Sequence, residues 1–250
     1  MPVNKTKAVK AQVVLYLIIA VLIIAIGFSI FFIKKSVSKE KENEAIVNNV
    51  RLEIEKCLEE KTRFAVMAIA LTGFYFYANI TNPAVSDAFF LVTQYYYDGS
   101  FHIPSTDVVA RQLELALAKE IDECFEKARS IAKKAELKTK PCTINASVDS
   151  SIRVSFACPV ELAIDSAKYS LENFYAQADF DVAKLLNYAR KITEQYAKDK
   201  PFLCTTCYDK IIESKNLTLH ILPLFALGEN HTFFSLRDDS NNLILVWAVK

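Results

Sequence analysis

Six cysteines are the residues of this chain best equipped for chemistry: Cys57, Cys124, Cys142, Cys158, Cys204 and Cys207. An even number fits three disulfides, and six cysteines allow fifteen connectivities. Cys57 and Cys124 each fall on the apolar stripe of an expected helix, so antiparallel packing brings them within bridging distance. Cys142 and Cys158 nearly face each other across an expected hairpin centred on Asp149-Ser150, which leaves Cys204 with Cys207. Cys204-Thr-Thr-Cys207 also has the spacing of a redox dithiol, because a helix start lowers a thiol pKa. It lacks a preceding tryptophan and a surrounding βαβ pattern, and a zinc site needs two further ligands that no second C-x-x-C supplies. A structural staple is the preferred reading for all six.

Other residue types point away from common reactions. His102, His220 and His231 are scattered, and neither His-Glu-x-x-His nor Gly-x-Ser-x-Gly occurs. The four glycines, at 27, 73, 99 and 228, are too far apart for a phosphate-cradling loop. Thirty basic against 29 acidic side chains leave a net charge of +1, which supplies no field for collecting phosphates. No catalytic, cofactor-binding or metal-binding residue is therefore assigned, and no nucleic-acid partner. Phe74 to Tyr77 and Tyr95 to Tyr97 have the composition of a stacking platform for sugars or bases, but aromatics at this density are expected to fill a core, as is Trp247. Asp238-Asp239 is expected in a solvated turn.

The run from Val13 to Ile33 carries no charge. At about 1.5 Å per residue it spans roughly 31 Å, the thickness of a bilayer's hydrocarbon core. It ends in Phe31-Phe32-Ile33-Lys34-Lys35, which stops a span rather than inviting signal cleavage. The lipid bilayer is thus the first expected partner. Lysines flank both ends, so the positive-inside rule does not orient it. The cysteines, together with Asn-x-Ser/Thr acceptors at Asn79, Asn145, Asn216 and Asn230, favour a C-terminal part outside the cell membrane. The expected layout is a cytoplasmic 1–12, a transmembrane 13–33, a stalk and long amphipathic helix over 34–72, and an extracytoplasmic domain over 73–250 packed with 46–72.

Lys10-Ala11-Gln12 directly before the apolar run resembles the class III signal of archaeal prepilins. The resemblance implies cleavage between Ala11 and Gln12 by a membrane peptidase. Many type IV pilins carry Glu at the fifth mature position; here it is Tyr16. Beyond the anchor, Cys57-Leu58, Tyr95-Tyr96-Tyr97, Cys124-Phe125 and Cys204 with Cys207 resemble a pattern in uncharacterised single-pass archaeal membrane proteins. That likeness covers most of the chain and implies an architecture without an activity.

The positioning elements follow from periodicity. Val50, Ile54, Cys57, Phe64, Ala68 and Leu71 predict one face of a helix stopped at Gly73. Phe74 to Phe101 predicts short strands with turns at Asn82-Pro83 and Asp98-Gly99. A second helix starts at Ser105 or Thr106, with the stripe Leu117, Ile121, Cys124, Ala128 and Ile131. A hairpin pairs 143–148 with 152–156, and 169–180 is extended. Asp179 or Asp181 caps a helix to about Lys198, and a short helix runs from Cys204 to about Lys215. Runs 217–224, 232–236 and 243–249 are extended, with a turn at 238–242. Grouped helices and strands predict an α+β fold with an antiparallel sheet. The functional expectation is a non-enzymatic, membrane-anchored cell-envelope protein presenting a binding or structural domain to other envelope proteins or to itself. The alternatives are a type IV pilin-like subunit and an extracytoplasmic thiol oxidoreductase using Cys204 and Cys207.

Overall fold

The computed structural model describes residues 39–76, 84–86, 91–133, 135–199, 205–212, 216–224 and 231–250. Ala11, Gln12, the apolar run 13–33 and Cys204 lie outside the described residues. Among those described, no helix is long and apolar enough to cross a membrane. The chain divides into two compact units, Met1–Asn49 and Val50–Lys250. Helix α1 covers 39–70, and the division falls within it.

The second unit is α+β, with two sheets. After α1 come β1 (Ala84–Ser86), β2 (Leu91–Tyr97), β3 (Ser100–Phe101) and α2 (Thr106–Ile131). Then follow β4 (Ala135–Thr139), β5 (Thr143–Val148), β6 (Ile152–Ile164) and β7 (Ala167–Ala178). The chain continues through α3 (Val182–Asp199), α4 (Thr205–Ile211), β8 (Leu217–Leu224), β9 (His231–Asp238) and β10 (Leu243–Val249).

One sheet runs in the order β1-β2-β10-β9-β8, with β3 added to β2. It is mixed, not wholly antiparallel as the sequence predicts, because β10 pairs β2 in parallel through Ala248↔Gln94 and Val249↔Tyr96. No turn joins those strands, and parallel pairing leaves no local signature in either. The centre of this sheet is an aromatic row. Trp247 of β10 stacks on Tyr95 of β2 at 5.7 Å and on Phe234 of β9 at 5.3 Å between centroids. All three are fully buried. The indole Nε1 donates to Thr193 Oγ1 of α3 at 3.1 Å, and Thr193 Oγ1 donates to the Ala189 carbonyl at 2.7 Å. Tyr196 of α3 and Tyr208 of α4 meet the Phe234 ring edge-on.

The other sheet is wholly antiparallel and centred on β6. β7 lines one edge of β6 along its length, while β4 and β5 lie end to end along the other. β6 buries every second residue from Ile152 to Ile164. Cys158 and Pro159 form a bulge opposite Glu172, and the register passes from Ala157↔Asn173 to Val160↔Leu171. Proline suits a bulge because it brings no ladder donor. Strand β4 has no counterpart in the sequence reading; its five residues, Ala-Glu-Leu-Lys-Thr, bury only Leu137 and alternate too briefly to read as a strand.

Helix α2 starts where predicted, with Ser105 Oγ accepting from Val108 N at 3.3 Å. Asp181 Oδ1 accepts from Lys184 N at the start of α3. Helix α4 ends at Ile211, short of Lys215. The apolar face of α1 turns along its length. Val50, Ile54, Cys57 and Leu58 are buried midway along it, then Thr62, Ala65, Val66, Ile69 and Ala70. Phe64 is 66% and Leu71 49% exposed, contrary to the straight stripe, as is Ile131 of α2. The middle turns face α2, whereas the last turn faces β2. There the Thr72 carbonyl accepts from Thr93 N and Oγ1, and the Gly73 carbonyl from Tyr95 Oη. Gly73 ends the helix at φ +75°, and a Cβ there would sit 3.1 Å from Thr93 Cβ. Arg51 and Arg63 lie over the rings of Phe174 and Phe180, which holds α1 along β7 and its exit.

Burial pushes the Tyr95 phenol well above its ordinary range, and a charge on Tyr75 would add to that. An acid whose folded pKa is raised contributes fully below its unfolded value, about 10, and loses its contribution as pH rises from there towards the folded value. Alkaline unfolding should therefore begin near pH 10 in the native chain. In Tyr95→Phe its onset should move to higher pH, at a cost near neutrality of about 1 kcal/mol for the lost hydrogen bond. Circular dichroism from pH 8 to 12 reads both, and an unchanged onset would count against Tyr95 as its cause.

Candidate functional site

Of the cysteines singled out for chemistry, two of the three expected pairs are bonded as expected. Cys57 of α1 and Cys124 of α2 are bonded, with Cα atoms 5.5 Å apart. Both side chains are buried. Charges on either side fix the same antiparallel contact. Lys61 donates to Glu120 at 2.8 Å and also to Glu123, while Lys127 lies 3.3 Å from Glu53 and 3.8 Å from Glu60. The hydrogen bonds to Glu120 and then Glu123 hold the Lys61 ammonium above the usual lysine range. The segments around Cys57 and Cys124 are thus two faces of one contact.

Cys142 and Cys158 are bonded too. Cys142 stands in the link between β4 and β5, opposite the bulge in β6, so the bridge pins the point where the sheet edge passes from one strand to the other. The Lys140 amide donates to the Pro159 carbonyl beside it. A hollow of about 460 Å³ next to the bridge is lined by Asp122, Thr139, Lys140 and Cys142, among others. Cys207, in α4, is also in a disulfide, and Cys204 lies outside the described residues.

The histidines do not converge. His102 follows β3, His220 is exposed on β8, and His231 opens β9. Among the described residues no three His, Cys, Asp or Glu side chains are grouped to hold a metal ion. The aromatic segment is mainly interior: Phe74 and Tyr95 are buried and Tyr75, Phe76 and Tyr96 half-buried, while Tyr97 is 37% exposed beneath the Lys250 ammonium. Tyr77 lies outside the described residues.

The surface most able to recognise a ligand is the outer face of β5, β6 and β7. Alternation puts Val154, Phe156, Phe174 and Ala176 inward and leaves Asn145, Ser147, Arg153, Ser155, Tyr175 and Gln177 outward. Strand register arranges the outward set in two rows, Asn145–Ser155–Tyr175 and Ser147–Arg153–Gln177. These residues, together with Glu59 of α1, line a groove of about 670 Å³. Tyr175 is 67% exposed. Amides, hydroxyls, a guanidinium and one open ring face are groups that bind and orient a polar ligand. The sequence weighs a stacking platform only at Phe74 to Tyr77 and Tyr95 to Tyr97, which it expects in the core, and does not single out Tyr175. The period-two pattern Phe174, Ala176, Ala178 would have exposed it, since the residue between two inward ones points out.

The disulfides set the stability of this scaffold. Bridges closing 67 and 16 residues contribute about 4 and about 3 kcal/mol by chain entropy. Cys57→Ser should thus lower unfolding free energy more than Cys142→Ser. Adding Cys124→Ser to the former should cost little, because both remove one bond, whereas combining Cys57→Ser with Cys142→Ser should nearly sum. Urea titration of the full chain, read through its single tryptophan, checks this order; equal losses would refute it.

Comparison of the chain with family models, with curated proteins and with solved structures finds no match.

Proposed function

We propose that this is a membrane-anchored cell-envelope protein that displays its Val50–Lys250 unit outside the cytoplasm as a binding or structural domain. The observation that carries the proposal is the pair of disulfides, Cys57–Cys124 and Cys142–Cys158, in a chain that also contains an uncharged run long enough to span a bilayer. Such bonds persist in oxidising compartments and are rare where glutathione and thioredoxin keep thiols reduced. Two disulfides accordingly suggest an extracytoplasmic domain, and residues 13–33 are the segment that would hold it at the membrane. The polar groove on β5, β6 and β7 supports binding rather than catalysis, since its groups recognise and orient. Partners in this reading are the bilayer and, at the exposed faces, envelope components or further copies of the chain.

A pilin-like subunit is the second reading. It is favoured by Lys10-Ala11-Gln12 ahead of the apolar run and by helix over every described position of 39–70. Mature subunits of that kind begin at the residue corresponding to Gln12.

One preparation of native cells tests both. Protease added to intact cells should degrade Val50–Lys250, and the fragment protected by the membrane should contain residues 13–33. Complete protection until lysis would overturn the external placement. Mass spectrometry of the purified N-terminus should find residues ahead of Ala11 under the first reading, whereas Gln12 as the first residue would establish prepilin-type processing and favour the second.

A further inference from the structure

We infer that Asn145 is an acceptor for an N-linked glycan, and that the saccharide lies along the outer groove of β5, β6 and β7 over Tyr175. The inference rests on the external placement proposed above. Asn145-Ala146-Ser147 has the acceptor spacing, in which the hydroxyl two residues on engages the transferring enzyme. Strand alternation sends Asn145 and Ser147 to the same exposed face and Ala146 inward. Ala146 N donates to Glu114 Oε1 of α2 at 2.8 Å, so the folded strand holds the other two side chains outward. The Asn145 carbonyl accepts from Ser155 Oγ at 3.4 Å, while its carboxamide has no hydrogen-bond partner among the described residues.

Asn216-Leu217-Thr218 makes the contrast. Its carboxamide donates to Ser240 Oγ at 3.2 Å and its threonine hydroxyl donates to Asp239 Oδ2 at 2.8 Å. Both polar ends of that acceptor are engaged by the turn between β9 and β10, whereas at Asn145 only the hydroxyl is engaged, Ser147 Oγ donating to the Arg153 carbonyl at 3.4 Å, and the carboxamide has no partner among the described residues. The remaining triplets, at Asn79 and Asn230, lie outside the described residues.

A second, independent observation points to a saccharide at Asn145. Tyr175 is the most exposed large apolar side chain of the described residues, and it stands in the same cross-strand row, Asn145–Ser155–Tyr175. Two strand spacings separate the acceptor from the ring, about 10 Å, a span that the first sugars of a glycan cover. Sugar C–H faces stack on aromatic rings, and the flanking Arg153, Ser155 and Gln177 offer hydrogen bonds to ring hydroxyls. A glycan in this position also covers the outer face of β5, a strand paired only with β6 among the described residues.

The chemistry is glycosyl transfer from a lipid-linked oligosaccharide phosphate. The bond from Asn145 Nδ2 to the anomeric carbon forms, and the carbon–oxygen bond to the donor phosphate breaks. The lipid phosphate departs with that electron pair, and one amide proton passes to a base of the transferring enzyme. No oxidation state changes.

The test is peptide mass spectrometry of the full-length protein purified from its native cells, beside the same protein carrying Asn145→Gln, Ser147→Ala or Ser147→Thr. The peptide containing Asn145 should carry a saccharide mass that is absent in Asn145→Gln and Ser147→Ala and retained in Ser147→Thr. A role in folding alone would not reproduce this pattern. Iodination of Tyr175 should be several-fold slower in the native protein than in Asn145→Gln; equal rates would overturn the placement over the ring. An unmodified Asn145, or a saccharide at Asn216 alone, overturns the inference. External protease on the same cells separates the two failures: cleavage of the domain leaves its placement standing, and protection removes that as well.

Discussion

The buried indole of Trp247 is the constraint on which the larger sheet depends. Its N–H has no access to water, and leaving such a donor unpaired costs about 1–3 kcal/mol. Thr193 on α3 supplies the acceptor and so fixes the rotation of that helix over the sheet. The rings of Tyr95 and Phe234 stacked on either side tie β10 to β2 and β9. Tyr196 and Tyr208 then meet Phe234 edge-on, which brings α3 and α4 onto the same centre. Segments from both ends of the second unit thereby share one core.

The smaller sheet is held differently. Its interior is aliphatic and phenylalanine-rich along β6, and its geometry is fixed by the bulge at Cys158-Pro159 and the bridge to Cys142. The helices over it are joined by Cys57–Cys124 and by two lysines, each set between two carboxylates. Those ion pairs are partly exposed and give orientation more than stability. The disulfides link the helices and the sheet edge covalently and suggest an extracytoplasmic domain.

The cysteines are thus structural where they are described, and the groups with recognition chemistry lie on a sheet face that contains none of them. A rigid three-strand platform holds Asn145, Arg153, Tyr175 and Gln177 in fixed register, because a strand cannot slip by one residue without turning Val154 and Phe156 outward. Display of such a face at a membrane is the reading that joins the apolar run, the disulfides and the groove.

Much of the framework was legible from the sequence. The α+β class, the helix at Ser105, the hairpin at Asp149, the buried Trp247 and the pairings Cys57–Cys124 and Cys142–Cys158 all follow from periodicity, capping and turn chemistry. The last turn covers 239–242, one residue less than expected, because Asp238 is not solvated but ends β9 buried, its carboxylate accepting from Ser240 N. Tertiary structure decided the rest. The parallel pairing of β2 with β10 joins segments about 150 residues apart, and neither encodes the other. Phe64 and Leu71 read as core because helical spacing assumes a straight stripe, whereas α1 meets α2 first and β2 afterwards, and its buried face turns to follow them. Tyr175 acquires meaning only from the register that sets it in a row with Asn145: a residue's strand places it on a face, but only its neighbours' strands make that face a site.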